Sequence, residues 1–345
     1  MQIKQQLELP VWKIPYFFIK CIVIFIKIIR TGILVLLIKN KYFNKHIELI
    51  LKILNFVLGN KNQKEIGKKL LNCLINLGPG YIKLGQALST RPDMLGKKTC
   101  DELKTLQDKL KPISSSIAKK IIHNEDENFL QKDLVSFDER PIASASVAQV
   151  HTGILQNGKK VAIKILKPKI HEQLFTDFTF FYWITKCLEF FIPNIKRLKL
   201  SKNVEILSEI SLNVLDLTLE ASAADELAEN FKDNPNYKVP KIYWEFTTKN
   251  MLVLEFIEGI RIDDLKTQST SKHNIKKITE IGTEVFFLQV FRDGFFHGDM
   301  HPGNILIDKK GNLIPIDFGI MGRLSNKDRQ FLALLLTYLL NKNYK

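Results

Sequence analysis

The sequence is poor in cysteine, and its four cysteines are unpaired in pattern. Cys21, Cys73, Cys100 and Cys187 are scattered, with no Cys-x-x-Cys among them. That spacing excludes a disulfide framework or a thiolate zinc site and fits a reducing compartment. No internal repeat recurs, and no long low-complexity linker divides the chain. Arginines are few and no recognised nucleic-acid-binding motif occurs, which argues against a nucleic-acid partner. Acidic residues are scarce at the start: residues 1–70 hold 13 Lys and Arg, one of them Arg30, against only Glu8, Glu48 and Glu65. No glycine-rich loop and no flavin- or NAD-like site is present.

What is present is ample apolar material and excess positive charge. The 345 residues are 45% hydrophobic with a net charge of +15, enough for one large or two to three small domains with a sizeable core. The basic excess at the N-terminus points to an anionic membrane surface or nucleic acid, or to an AT-rich genome, since Lys, Ile and Asn are abundant throughout. Residues 11–38 are strongly apolar, but Lys20, Lys27 and Arg30 interrupt the roughly 20 apolar residues that a spanning helix needs. Lys13, Lys20 and Lys27 recur every seven residues, with Arg30 one turn on. That pattern predicts a cationic stripe on a greasy helix lying in a membrane interface, or a helix packed on the protein's own body. No small-residue cleavage site of a signal peptide follows.

Periodicity predicts helix over 46–77, closing at Gly78-Pro79-Gly80. Further helices are expected across 81–110 and 112–132, the second with caps among Ser114–Ser116. From 141 the pattern turns to strand. Ala148–Leu155 and Lys160–Leu166 flank Gln156-Asn157-Gly158, a strong hairpin signal. A helical tract over 170–234 follows, then strands at Val239–Trp244 and Met251–Phe256 and a helix over Ile275–Asp293. Ser325 to Asp328 caps a last helix ending near Leu340, too short to span a bilayer.

The chemistry concentrates between His297 and Gly319. Asp299 stands five residues before Asn304, and Asp317-Phe318-Gly319 follows thirteen later. Phosphoryl transfer needs such a set: one carboxylate near the nucleophile, plus an amide and a carboxylate to hold Mg²⁺ against nucleotide phosphates. A hairpin of Asn304–Ile307 and Leu313–Ile316, turning at Lys309 to Asn312, would bring Asn304 and Asp317 together. Upstream, Val161-Ala162-Ile163-Lys164 places a lysine where a kinase-like small lobe contacts phosphates, steadied by a helix glutamate. Glu220 is the candidate glutamate. It lies 56 positions after Lys164, so a helical insertion must intervene. In place of a glycine loop stands Pro141 to His151, with Ala143, Ser144, Ala145 and Ser146 as candidate phosphate contacts. Glu255 to Gly259 has the character of a hinge whose backbone contacts adenine. His297 and His301 bracket Asp299, but the intervening loop and Pro302 suit one metal poorly. His297 reads as a packing residue that orients the loop.

In order, Lys83-Leu84-Gly85-Gln86, the alanine-serine loop, Val161–Lys164, Leu215–Leu227, His297–Asn304 and Asp317–Gly319 resemble the UbiB family of atypical kinase-like proteins, over about residues 70 to 325. The resemblance implies an α+β, protein-kinase-like two-lobe fold with an N-terminal helical extension and an incomplete C-lobe. Its parts would be a basic membrane-interface segment (1–70), a KxGQ helical extension (71–135), an N-lobe with a helical insertion (136–258) and a partial C-lobe (259–345). It implies Lys164 as phosphate lysine, Glu220 as its partner and Asp299 as catalytic aspartate. Asn304 and Asp317 would bind Mg²⁺. Lys83 and Gln86 would contact the nucleotide pocket and restrain protein phosphorylation. ATP or ADP with Mg²⁺ would be the cofactors. Quinone-precursor lipids or quinone-pathway enzymes and an anionic lipid surface would be the partners, at the cytoplasmic face of an inner membrane.

Two features depart from the family pattern. Its Glu-x-Asp motif reads Val214-Leu215-Asp216 here. The chain ends 26 residues after Gly319, where members continue into a large helical lobe and membrane helices. Two functions stay open: an Mg-ATP-dependent kinase or ATPase supporting ubiquinone biosynthesis, or a nucleotide-binding scaffold of that pathway with little catalysis.

Overall fold

The computed structural model describes residues 14–33, 49, 52–53, 56, 65–106, 111–191, 193–266 and 275–342. Its helices run α1 (Ile14–Arg30), α2 (Ile66–Leu77), α3 (Pro79–Ser89), α4 (Lys97–Leu103), α5 (Ser115–Glu125), α6 (Ile170–Phe191), α7 (Leu200–Asn213), α8 (Leu217–Asn230), α9 (Ile275–Phe287) and α10 (Asn326–Leu340). Its strands are β1 (Leu134–Phe137), β2 (Ala143–Ser144), β3 (Ala148–Leu155), β4 (Lys160–Leu166), β5 (Met251–Glu255), β6 (Ile260–Arg261), β7 (Phe295–His297), β8 (Ile305–Ile307), β9 (Leu313–Pro315) and β10 (Met321–Arg323). The chain forms two compact units that interleave in sequence. One comprises Met1–Ser114, Pro141–Val150 and Leu166–Leu212; the other comprises Ser115–Arg140, His151–Ile165 and Asn213–Lys345.

The first unit is mainly helical. Phe17 of α1 meets Phe180 of α6 with ring centroids 5.9 Å apart, and Tyr81 of α3 meets Phe181 edge-on at 4.8 Å. Close packing dictates small residues on α3. A Cβ on Gly85 would stand 2.6 Å from Leu106 and 2.7 Å from Leu74. Gln86 then ties the helix down, its amide donating to the Leu106 carbonyl at 3.0 Å. The buried Asp177 carboxylate accepts from the Gly80 N–H at 3.2 Å and from Lys20 at 3.4 Å. Gly80 is required there, because its Cβ would lie 2.5 Å from Asp177 Cβ. Gly80→Ala should therefore overpack this contact and lower stability by about 2 kcal/mol. An unchanged urea midpoint would show that α6 yields freely.

Several expected elements are shorter or differently placed. The apolar run is helical over Ile14–Arg30, while 11–13 and 34–38 lie outside the described residues, as does most of 46–64. Lys20 leaves the expected cationic stripe, because the buried Asp177 draws it inward. Lys27 and Arg30 stay exposed. The helix expected over 81–110 breaks after Ser89, where Pro92 favours a fresh start over continuation. Residues 107–110 lie outside the described residues. The helix expected to 132 stops at Glu125, since Asp126 turns its carboxylate onto the N–H groups of Asn128 and Phe129. The tract 170–234 divides into α6, α7 and α8. The strand expected at Val239–Trp244 is reduced to one bridge, Ile242 to Leu254, because the chain turns into a short 3₁₀ helix at Trp244.

Most strand residues belong to the second unit, while β2 and the first three residues of β3 belong to the first. The largest sheet has strand order β1-β3-β4-β5, with β2 on β3. β4 and β5 pair antiparallel, placing Lys164 opposite Leu252. β4 alternates: Val161, Ile163 and Ile165 are fully buried, while Lys164 on the other face stays partly accessible. A three-stranded β6-β8-β9 sheet includes the expected hairpin, with Ile305 opposite Pro315 and Ile307 opposite Leu313, and β7 pairs with β10 in a third, two-stranded sheet. α8 follows Asp216, whose carboxylate caps it by accepting from Thr218 N–H. Leu217, Ala221, Ala224 and Leu227 bury one face of α8. Glu220 shares that face, at the helix end where a negative charge is favoured.

Candidate active site

Three side chains meet inside the second unit. Lys164 Nζ lies 2.6 Å from Glu220 Oε1 and 3.1 Å from Asp317 Oδ1. Glu220 is almost fully buried and also accepts from the Phe318 N–H at 3.4 Å. Burial alone would pull the Lys164 ammonium down, but the Asp317 and Glu220 carboxylates outweigh it and hold it above its ordinary value. Burial pushes the Glu220 carboxyl up to about 7, against the pull of Lys164. Burial pushes Asp317 the same way, yet Lys164 prevails and keeps it well below the usual carboxylate range. The result is a fixed cation between an ionised carboxylate and a buried one.

The hairpin delivers the metal candidates. Ile316 N–H donates to Asn304 O at 3.0 Å, just past the β8–β9 ladder, so Asn304 and Asp317 stand on adjoining chain segments. Asn304 spends its amide nitrogen on the Asp299 carbonyl at 3.2 Å. Its amide oxygen therefore remains as the donor atom. A carboxylate held ionised and an amide oxygen are hard oxygen donors, the set Mg²⁺ takes beside phosphates. These residues fit that ion. Among the described residues no cluster of three His, Cys, Asp or Glu side chains forms a separate metal site.

The loop around Asp299 is held by its histidines. His297 Nδ1 accepts the Asp299 N–H at 3.1 Å, which leaves Nε2–H to donate to the Asp317 carbonyl at 2.6 Å. Burial pulls the His297 imidazole below its ordinary value, in keeping with this neutral tautomer. His301 Nδ1 accepts from Gly303 N–H and shapes the turn into Asn304. Both imidazoles thus serve loop geometry. Asp299 itself is exposed.

Other expected site residues are placed as follows. Glu255 ends β5, and its N–H donates to Lys241 O, while Phe256 N–H donates to Lys160 O. Those two donors are spent inside the sheet, so an adenine contact at this strand end cannot use them. A cleft of about 650 Å³ beside Glu255–Glu258 is lined by Phe231, Tyr237, Lys238 and Asp308, and by none of the Lys164, Glu220, Asp299, Asn304 or Asp317 set. Ala143, Ser144, Ala145 and Ser146 belong to the first unit. There Ala143 and Ser144 pair with Val150 and Gln149, and the Ala145 carbonyl accepts from Lys167. Lys83, half-buried, and Gln86 belong to that unit too.

Val214, which stands in the Glu-x-Asp motif position, packs 3.3 Å from where Gly319 would carry a Cβ. Two further contributors carry no sequence motif. Gln289 and Tyr237 bond each other in the core behind the His297 loop. The signal for Gln289 was a lone amide on the apolar face of a helical pattern.

Comparison with known proteins shows the family. Residues 105–345 match the ABC1 atypical kinase-like domain. A protein of Shewanella sp. (strain ANA-3), described as a probable protein kinase UbiB, is 39% identical over 84% of this chain and 54% of its own length. Its counterpart from Histophilus somni (strain 129Pt) is 39% identical over 85% of this chain and 56% of its own. The Mycobacterium tuberculosis protein Rv3197, solved in complex with erythromycin, superposes with a TM-score of 0.56 at 25% identity, covering 87% of this chain and 73% of that one. The chain spans about half the length of the curated relatives it matches. The fold is α+β and kinase-like, and the chain belongs to the ABC1 (UbiB) family of atypical kinase-like proteins.

Proposed function

We propose that this chain is an Mg-ATP-dependent atypical kinase or ATPase that supports ubiquinone biosynthesis at an anionic membrane surface. The observation that carries the reading is Lys164 held between Glu220 and Asp317 at 2.6 and 3.1 Å. A lysine kept charged there can donate to phosphate oxygens and stabilise charge on the transferring group. Asp299, exposed on a loop held by His297, would accept the proton of water or an acceptor hydroxyl. Asn304 and Asp317 would hold the metal. When bound, Mg²⁺ supplies charge neutralisation at the phosphate oxygens.

Purified chain with Mg-ATP and vesicles containing anionic phospholipid should release phosphate. Asp299→Asn should lower that rate by roughly two orders of magnitude or more while nucleotide still binds. Nucleotide binding with no turnover above the variant would instead make the chain a nucleotide-binding scaffold of the pathway.

The membrane part of the reading rests on α1. Phe17, Ile24 and Ile29 face inward, whereas Phe18, Ile19, Ile22, Val23 and Phe25 are exposed, beside exposed Lys27 and Arg30. No helix among the described residues is long and apolar enough to cross a membrane, so α1 would lie in the interface plane. Phe18→Ser combined with Ile22→Ser should reduce co-sedimentation with anionic vesicles at least about tenfold. Unchanged sedimentation would remove α1 from the contact. The same surface, at the cytoplasmic face of the inner membrane, would give access to quinone-precursor lipids or to the enzymes that act on them.

A further inference from the structure

Gln289 is fully buried, in a single π-helical turn, Leu288–Asp293, that ends α9. Such a turn inserts one residue into the helix and re-aims the side chains near it. Gly294 ends it with φ of 66°, at a point where a Cβ would meet Leu324 O at 3.0 Å. A buried amide needs partners at both ends, and Gln289 has them. Its Nε2 donates to the Tyr237 hydroxyl at 3.2 Å, and its Oε1 accepts the His297 N–H at 2.9 Å.

These two partners belong to different arms of the site. His297 ends β7 and leads directly into Asp299. Tyr237 lies alongside β9, since Lys238 N–H donates to Leu313 O and Leu313 N–H donates to Asn236 O. β9 leads to Asp317. The His297 ring bridges the same two arms further on, from Asp299 N–H to the Asp317 carbonyl. The arms are therefore tied twice, at the tips by His297 and at the roots by Tyr237 and Gln289.

We propose that Gln289, anchored by Tyr237, is a positioning residue that sets the separation of Asp299 from Asp317. The inference rests on Asp299 and Asp317 being the reacting and metal-holding groups. Gln289 touches neither substrate nor metal and acts only through the backbone of His297. Its removal should loosen the Asp299 loop before it affects the rest of the unit.

The test compares Gln289→Leu, Tyr237→Phe and a control, Val285→Ala, which opens a cavity one helical turn before Gln289 and removes neither of its hydrogen bonds. Val285 is fully buried. Amide hydrogen exchange is followed in the peptide spanning 295–301, together with kcat and KM for Mg-ATP. Gln289→Leu should speed exchange there by roughly tenfold, the consequence of losing one buried hydrogen bond. It should lower kcat more than it raises KM. Tyr237→Phe should give a smaller change in the same direction. Val285→Ala, at a comparable loss of thermal stability, should leave the exchange of 295–301 close to wild type. Equal exchange in Gln289→Leu and Val285→Ala would overturn the proposal and leave Gln289 a core residue. The exchange comparison decides this even where wild type fails to turn over, an outcome that would defeat the ATPase reading instead.

Discussion

Asp317→Asn should cut Mg²⁺-dependent phosphate release at least about a hundredfold, the scale of losing one fixed charge that stabilises a transition state. The substitution is close to isosteric. The asparagine oxygen can still accept the Gly319 N–H that Asp317 Oδ1 accepts at 3.2 Å, so the turn after Asp317 should persist. What disappears is a full negative charge, together with one of the two carboxylates that hold Lys164. Nucleotide titration at fixed ATP and varied Mg²⁺ should show the apparent Mg²⁺ requirement rising steeply, with far-ultraviolet circular dichroism unchanged. Asn304→Ala should raise the Mg²⁺ requirement less, because it removes a neutral donor. A variant at 317 with wild-type turnover and wild-type Mg²⁺ dependence would take Asp317 out of the metal site.

Much of this site was legible because its spacing is local. Asp299, Asn304 and Asp317 occupy a stretch short enough for one hairpin to align them, and hairpin signals are written in alternating apolar residues around a turn. Lys164 was legible from its strand, since strict alternation separates its face from Val161, Ile163 and Ile165. Glu220 lies 56 positions away. Motif order named it as the candidate partner of Lys164, but periodicity gave no more than a helix carboxylate, and packing of the small residues Ala221 and Ala224 turned it inward. The Tyr237–Gln289–His297 relay was not legible, because each member is an ordinary residue for its element and only the third dimension joins them. Boundaries failed where short-range polar chemistry overrode periodicity. Asp126 capturing two N–H groups ended a helix whose apolar pattern ran on. Lys20 shows the same limit: its heptad spacing marked an exposed stripe, but a buried aspartate on another helix drew it inward.

Lys164→Met should cost about 3 kcal/mol of stability at pH 8 as well as activity, because it strands a buried carboxylate without its cation. The pH dependence identifies the cause. Burial has already raised the Glu220 carboxyl to about 7 in the intact protein. A carboxyl raised above its unfolded value binds more protons in the folded state across that interval, so stability falls as pH rises through it. Removing Lys164 takes away the main force opposing that rise, and the interval must extend upward. Asp317, held below its unfolded value in the intact protein, contributes a stability that is complete above the unfolded carboxylate range and falls only in acid. His297 and His151 are lowered, so each adds stability as pH rises, but both are present in wild type and variant alike. The difference between the two proteins therefore isolates the carboxylates facing position 164. Urea unfolding of both at pH 5.5 and pH 8 should show the deficit of Lys164→Met shrinking at the lower pH, where Glu220 takes up a proton and no longer needs a partner. Adding Glu220→Gln to Lys164→Met should recover most of the lost stability at pH 8 and flatten the slope, while leaving turnover abolished. A deficit that stayed constant with pH would mean that the lysine stem, not its charge, holds α8 to the sheet.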